Sequence, residues 1–181
     1  MADAKVSGNK LALMCPVPCE HMESAIETCS RPDDVVAFGS QMQEMFFDHK
    51  RSKEKRQLID ADTTVYIYVS LSGGANPAAV SRYFDGKRIT YIASYLEWRK
   101  PKCQFGINTG FHPNDKHRPG STLGENGTDK DTVFMGFWEI RGLKELPVPI
   151  PLSKFRLFDK GSRIHGIPRH PIKVVDLEFD L

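Results

Sequence analysis

The chain has 181 residues, of which 40% are hydrophobic and 27% are charged, a length and composition typical of one globular domain. Its 25 Lys and Arg residues against 23 Asp and Glu residues give a formal net charge of +2. This balance excludes a strongly cationic nucleic-acid-binding tail and also an acidic, disordered chain. Electrostatic binding must therefore come from local patches of charge rather than from the whole molecule.

The N-terminal residues contain no apolar stretch of signal-peptide length, and no run approaches 18 apolar residues. We therefore expect a cytoplasmic protein that does not interact with membranes. The four cysteines are too few for a disulfide scaffold and are expected to be reduced thiols. Three of them lie in the first 30 residues, but their spacing matches no common zinc pattern. The sequence therefore predicts no cofactor and no bound metal.

The first 50 residues predict two short strands and two short helices. The apolar run at 10–15 predicts a buried strand that ends at the proline corner following it. Apolar residues at helical spacing predict an amphipathic helix over 19–29. The sequence DVVAF at 34–38 predicts a second strand, and residues 41–49 predict a second helix with one apolar face.

The middle of the chain contains the clearest strand signals. Residues 64–70, TVYIYVS, alternate β-branched residues with tyrosines, which directs the two types to opposite faces of a sheet. A glycine-rich break then precedes a short predicted helix at 77–84. Residues 88–100 predict a long strand with apolar or aromatic residues on both faces.

Residues 103–131 are rich in Gly, Asn, Asp, Thr and Pro and predict a long loop, which in a compact domain is either functional or disordered. Strands are predicted at 132–140 and 172–180, with a proline-rich extended segment at 146–155 between them. The strands outweigh the short helices and do not alternate with them. We therefore predict a single α+β domain over 1–181, a small, mostly antiparallel β-barrel with short helices packed at its ends.

Aromatic side chains on both faces of the three strongest strands indicate a pocket as well as a core. A small barrel fills only one face of its strands with core, so the other face is covered by helices or lines a pocket. Walls of Trp and Tyr suit a flat ligand such as a nucleobase, which stacks on them. An aromatic pocket with a cationic rim is typical of nucleotide recognition. The cations near these strands are Arg99, Lys100, Lys102, Lys116, Arg118, Arg163 and Arg169.

A second candidate site lies in the long loop, where His112 and His117 flank Asp115 in GFHPNDKHRPG. These side chains could act as acid, base or metal ligands, so hydrolysis of a nucleotide-like substrate is an alternative function. However, two histidines without an orienting partner are weak evidence for catalysis. The chain also lacks the Walker, dinucleotide, nucleophile-elbow and His-Glu-x-x-His patterns. The sequence therefore favours a non-catalytic protein.

The order of the predicted elements resembles that of the PUA-like superfamily, the small barrels that include the PUA, ASCH, EVE and YTH domains. The likeness covers roughly residues 10–155 and is carried by the segments LALMCPVP, EHMESAIE, DVVAFGS, VYIYVS, IASYLEW and FMGFWEI. The Trp-x-Gly-Val-Arg segment of EVE domains is absent, so no subfamily is assigned.

In proteins of that superfamily, a pocket at one end of the barrel takes a flipped or single-stranded base, often a modified one. The resemblance implies a base-binding pocket in this chain. Its members would be Phe38, Gly39, Ser40, Tyr68, Ser70, Trp98 and Trp138.

The leading prediction is a nucleic-acid-binding module that holds a base of DNA, RNA or a free nucleotide. Trp98 and Trp138 would stack on the base, and Ser40 would hydrogen-bond its edge. The phosphates would be met by Arg99, Lys100 and Arg118. The alternatives are the hydrolytic enzyme above and a protein-interaction domain whose exposed aromatic residues contact a partner. The exposed aromatic content also permits a homodimer.

Overall fold

A computed structural model of the chain describes residues 5–40, 59, 61–71, 77–78, 80, 86–105, 107–123 and 134–178. Within these residues the fold is α+β and is dominated by strands. The strands and the α-helix are β1 (Lys5–Pro18), α1 (Cys19–Thr28), β2 (Val35–Ser40), β3 (Thr64–Ser70), β4 (Arg88–Arg99), β5 (Cys103–Gln104), β6 (Ile107–Asn108), β7 (Gly136–Pro151) and β8 (Ile172–Glu178). Short 3-10 helices lie at Asp115–His117, Gly120–Thr122 and Leu152–Lys154.

Six of the strands form one mixed sheet in the order β2-β7-β4-β3-β1-β8, and β5 pairs with β6 in a separate hairpin. The strands β1 and β3 are parallel, whereas the other pairs are antiparallel. The predicted α+β class and mostly antiparallel pairing are therefore confirmed. The predicted barrel is not, because β2 and β8 lie at opposite edges and the described residues do not close the sheet.

The two faces of the sheet carry two separate hydrophobic clusters. The alternation in β3 divides its side chains as predicted, with Val65, Ile67 and Val69 on one face and Tyr66 and Tyr68 on the other. The helix α1 packs on the valine side through buried residues of its apolar face, which include Met22 and Ala25. This face also holds the aromatic residues Phe38, Trp98 and Trp138.

The tyrosine side contains a buried polar network centred on Asp176 of β8. The Asp176 carboxylate accepts hydrogen bonds from Tyr66 Oη at 2.7 Å and Thr64 Oγ1 at 3.0 Å. Lys10 Nζ lies 3.1 Å from the same carboxylate. Burial and the neighbouring carboxylate raise the pKa of Tyr66 well above its usual value. The network ties β8 to β3 across the intervening strand β1.

Two predicted strands extend through prolines that were expected to end or interrupt them. The strand β1 continues through Pro16 and Pro18, where it pairs with β3 but β8 supplies no partner. The strand β7 joins the predicted segments 132–140 and 146–155, and its prolines lie beyond the residues that pair with β2. A proline has no backbone N–H to donate, so a strand tolerates it where one edge has no partner strand, as on the β8 side of β1 and the β2 side of β7 among the described residues.

The other element predictions have mixed outcomes. The strand at 64–70 and the helix at 19–29 are confirmed, the helix ending one residue earlier. The predicted helix at 41–49 and most of the one at 77–84 lie outside the described residues.

Within the described part of the chain, no helix is both long and apolar enough to cross a membrane.

Candidate functional site

Two histidines of the predicted loop meet a carboxylate of the sheet, Glu139 on β7. His117 Nδ1 lies 2.8 Å from Glu139 Oε1, and His112 Nε2 lies 3.1 Å from the same oxygen. Glu139 and His112 are almost completely buried, whereas the side chain of His117 is 29% exposed. We name His112, His117 and Glu139 the His–Glu cluster. It lies where the segment after β6 folds over the end of the sheet.

Asn114 holds both histidines in place from its position between them. Its backbone N–H donates to His112 Nδ1 at 2.9 Å, and its carbonyl oxygen lies 2.7 Å from that nitrogen. Its side-chain Oδ1 accepts the backbone N–H of Lys116 at 3.2 Å, which starts the 3-10 helix at Asp115–His117. The amide Nδ2 then faces His117 Nε2 at 2.8 Å. A neutral His117 therefore carries its proton on Nδ1 and donates it to Glu139.

The charge of Glu139 is balanced by its neighbours. Burial opposes ionisation, but the imidazoles of His112 and His117 outweigh it and lower the pKa of Glu139 to about 2. Arg99 Nε lies 3.4 Å from Glu139 Oε2, and the same guanidinium also pairs with Glu97. The predicted phosphate contact Arg99 is thus 49% exposed but already paired with two carboxylates.

Asp115, which the sequence placed with the two histidines, is not part of the cluster. Its carboxylate is half exposed and lies 3.2 Å from Lys102 Nζ. The structure brings in Glu139 instead, from a strand more than twenty residues further along the chain. A signal for Glu139 was present, because it is the one charged residue in the apolar strand FMGFWEI. A carboxylate at such a position needs a buried partner.

Arg118 is an interior residue rather than part of a cationic rim. It is 3% exposed, and its Nη1 donates to the backbone carbonyl of Ala37 on β2. The guanidinium carbon lies 5.3 Å from the ring centre of Phe134 and 4.9 Å from that of Phe137. These contacts fasten the loop to β2 and β7. Arg118 is therefore not positioned to meet phosphates at the surface.

The residues of the predicted base pocket are divided between the two faces of the sheet. Phe38 and Trp138 stack with ring centres 4.7 Å apart, and both are buried in the cluster beneath α1. Trp98 is only partly buried and lies against this cluster, close to the backbone of Gly136. Tyr68 lies in the opposite cluster. Ser40 and Ser70 are half-buried at the ends of β2 and β3.

An exposed aromatic residue that the sequence did not single out lies just beyond β4. Phe105, at the turn between β5 and β6, is 93% exposed, and Ile107 on β6 is 70% exposed. Lys100 and Lys102 precede them and are exposed as well. The backbones of Lys102, Thr109 and Phe111 are joined by hydrogen bonds of 2.8 and 2.9 Å, which anchor the base of the hairpin. We name residues 98–105 together with Ile107 the basic hairpin edge.

Two surface clefts lie away from these residues. One of about 510 Å³ lies between the end of α1 and β4, and one of about 290 Å³ lies beside β7 near Leu152. None of the predicted site residues lines either cleft.

No protein-family model matches this chain, and no curated protein is significantly similar to it in sequence.

Proposed function

We propose that this protein binds nucleic acid through the basic hairpin edge. The observation that carries the proposal is the side chain of Phe105, an aromatic ring exposed to 93% immediately after a cationic stretch. Burial in the core accounts for most other aromatic residues of the described chain, but not for this one. An exposed ring beside cations offers stacking to a base and charge to the adjoining phosphates.

The backbone of Phe105 supports a role outside folding. Its φ angle is +52°, a left-handed conformation that is unusual and unfavourable for a bulky residue. A small or polar residue would suit this turn better and would expose less apolar surface. The position of Phe105 is therefore explained better by contact with a ligand than by stability.

Neighbouring residues supply the other parts of such a surface. Lys100 and Lys102 lie on the same connection and can neutralise phosphates. Trp98 is the member of the predicted pocket closest to them in the chain and is partly buried. The resemblance to the PUA-like superfamily of small barrels, whose members take single or flipped bases, points to the same class of ligand. Base stacking on Phe105 and Trp98 is the contact we propose.

The test is fluorescence anisotropy with short single- and double-stranded DNA and RNA, plain and base-modified, at two salt concentrations. Stacking on one aromatic ring is worth roughly 1–3 kcal/mol, so Phe105→Ala is expected to weaken binding about tenfold or more. Lys100→Ala is expected to make the plot of log binding constant against log salt concentration less steep by about 0.7 to 0.9. This is the contribution of one neutralised phosphate, which releases about one counterion.

Lys154→Ala is the control for charge. Lys154 is exposed and follows β7, at the end of the sheet where β4 begins rather than ends. This variant is expected to bind as the wild type does. Absence of binding to every probe, or unchanged binding by Phe105→Ala, would overturn the proposal. Salt-independent capture of a protein through Phe105 and Ile107 would instead identify a protein-interaction domain.

A further inference from the structure

We propose that His112, His117 and Glu139 form a binding site for a divalent transition-metal ion, with Zn²⁺ as the best-matched ion. The proposal does not depend on nucleic-acid binding, although Arg99 of the basic hairpin edge contacts Glu139. Two imidazoles and one carboxylate are the ligand set of many zinc sites that retain a solvent position, and they also suit other first-row divalent ions.

The donor atoms have the spacing that a metal ion needs. The ligand atoms of the three residues all lie within 4.8 Å of one another. Ligands placed about 2.0–2.1 Å from a tetrahedral ion are separated from one another by roughly 3.3 Å. The two imidazole nitrogens lie 3.1 and 2.8 Å from Glu139 Oε1, so small movements of the side chains would admit an ion.

The state of His112 is an independent indication of a ligand. Its side chain is 1% exposed, and its Nε2 makes no well-aligned hydrogen bond with any described residue, although it lies 3.1 Å from Glu139 Oε1. A buried imidazole nitrogen that has lost water and has only a poorly aligned contact with a carboxylate is less favourable than one with a full hydrogen bond. An ion bound between His112 and Glu139 would satisfy that nitrogen.

The surroundings supply the outer contacts that metal-binding side chains usually have. In the tautomer that accepts the Asn114 backbone N–H, His112 carries its proton on Nε2. Metal binding through Nε2 would move this proton to Nδ1, where the carbonyl oxygen of Asn114, 2.7 Å away, can accept it. Arg99 contacts the second oxygen of Glu139, which fixes the carboxylate while Oε1 remains on the side of the histidines.

The orientation of the Asn114 side-chain amide affects how well His117 can bind a metal ion through Nδ1. Its Nδ2 now faces His117 Nε2, so metal binding through Nδ1 places a proton on Nε2 opposite an amide donor. Rotation of the amide by half a turn would present Oδ1 to this proton. Because Lys116 N–H would then lose its acceptor, the rotation lowers the affinity. Asn114→Asp removes this conflict, since either carboxylate oxygen accepts.

The experiment uses the full chain, stripped with a chelator and titrated with Zn²⁺ by calorimetry and with Co²⁺ by visible absorption. We expect one ion per chain and, for Co²⁺, the intense visible bands of a four-coordinate site. His117→Ala is expected to weaken binding at least tenfold, and Asn114→Asp to strengthen it. His117 is 29% exposed, so its replacement is expected to leave the fold intact, which circular dichroism checks.

His165→Ala is the matched control, because His165 is exposed and lies in a different segment. It is expected to bind both ions as the wild type does. The site is disproved if neither ion binds in a one-to-one ratio, or if folded His117→Ala binds as tightly as the wild type. Equal losses in His117→Ala and His165→Ala would indicate adventitious binding by surface histidines and would also overturn the proposal.

Discussion

Trp138 and Glu139 are neighbours on β7, yet their side chains lie on opposite faces of the sheet. Trp138 stacks on Phe38 beneath α1, whereas Glu139 meets His112 and His117. The Phe38–Trp138 aromatic pair and the His–Glu cluster are therefore separated by the thickness of the sheet.

Arg118→Ala tests whether this arginine is structural. Removing the guanidinium leaves the carbonyl of Ala37 without this donor and opens space beside Phe134 and Phe137. We expect a loss of about 1–3 kcal/mol in the free energy of unfolding, measured with urea. The salt dependence of any nucleic-acid binding should not change. A stable variant with a reduced salt slope would place Arg118 at the phosphates after all.

Gly136→Ala tests the close approach of Trp98 to β7. A methyl group at this position would overlap the indole ring of Trp98. We expect the ring to be displaced, with a loss of roughly 1–3 kcal/mol in stability and a change in tryptophan fluorescence. Gly166→Ala is the control, because a methyl group there meets no atom within 4 Å. Equal stability of the two variants would contradict the packing described for Trp98.

Tyr66→Phe and Tyr68→Phe form a matched pair on the same strand. The Tyr66 hydroxyl donates to Asp176 and accepts the backbone N–H of Leu177, whereas no described residue hydrogen-bonds the buried Tyr68 hydroxyl. Replacing Tyr66 by Phe removes one hydrogen-bond donor from the buried carboxylate of Asp176. We expect Tyr66→Phe to cost about 1–3 kcal/mol and Tyr68→Phe to be nearly neutral or stabilising. Urea unfolding of both variants decides this, and the reverse order would contradict the network.

The pH dependence of stability tests the ionisation of Glu139. The pKa of Glu139 is about 2 in the folded protein, against an ordinary value of 4.5 that applies to the unfolded chain. As the pH falls, the unfolded chain is therefore protonated at Glu139 before the folded protein is. The stabilisation is therefore complete above about pH 4.5 and is lost as the pH falls toward 2. Glu139→Gln, measured with the wild type in a chelator, should show a shallower loss over this range. If the free energy of unfolding falls equally with pH in the wild type and in Glu139→Gln, the histidines do not hold Glu139 ionised.

Sequence patterns predicted those parts of the fold that depend on local periodicity. The alternation of TVYIYVS fixed both the bounds and the two faces of β3, and the helical spacing after Cys19 located α1. The prolines of β1 and β7 misled the prediction, because their tolerance depends on which edge of a strand is unpaired. That information resides in the sheet order and is not visible in any one segment.

The candidate sites were predicted only in part for a similar reason. His112 and His117 were identified together with the nearby Asp115, but the carboxylate that contacts them is Glu139. Proximity in sequence favoured the wrong acid, since the fold over the sheet end decides which one is buried. Phe105 was missed because an exposed aromatic residue looks like a core residue until its burial is known.

The pairing of β1 with β8 has a consequence for the order of folding. The strand β1 is synthesised before β8, yet its outer edge is covered by residues 172–178. Until those residues leave the ribosome, the strand presents unpaired backbone groups to other chains. The apolar run LALMC in that strand is then a site where nascent chains can associate. Pairing of β8 with β1 thus removes this edge as a site of aggregation during folding.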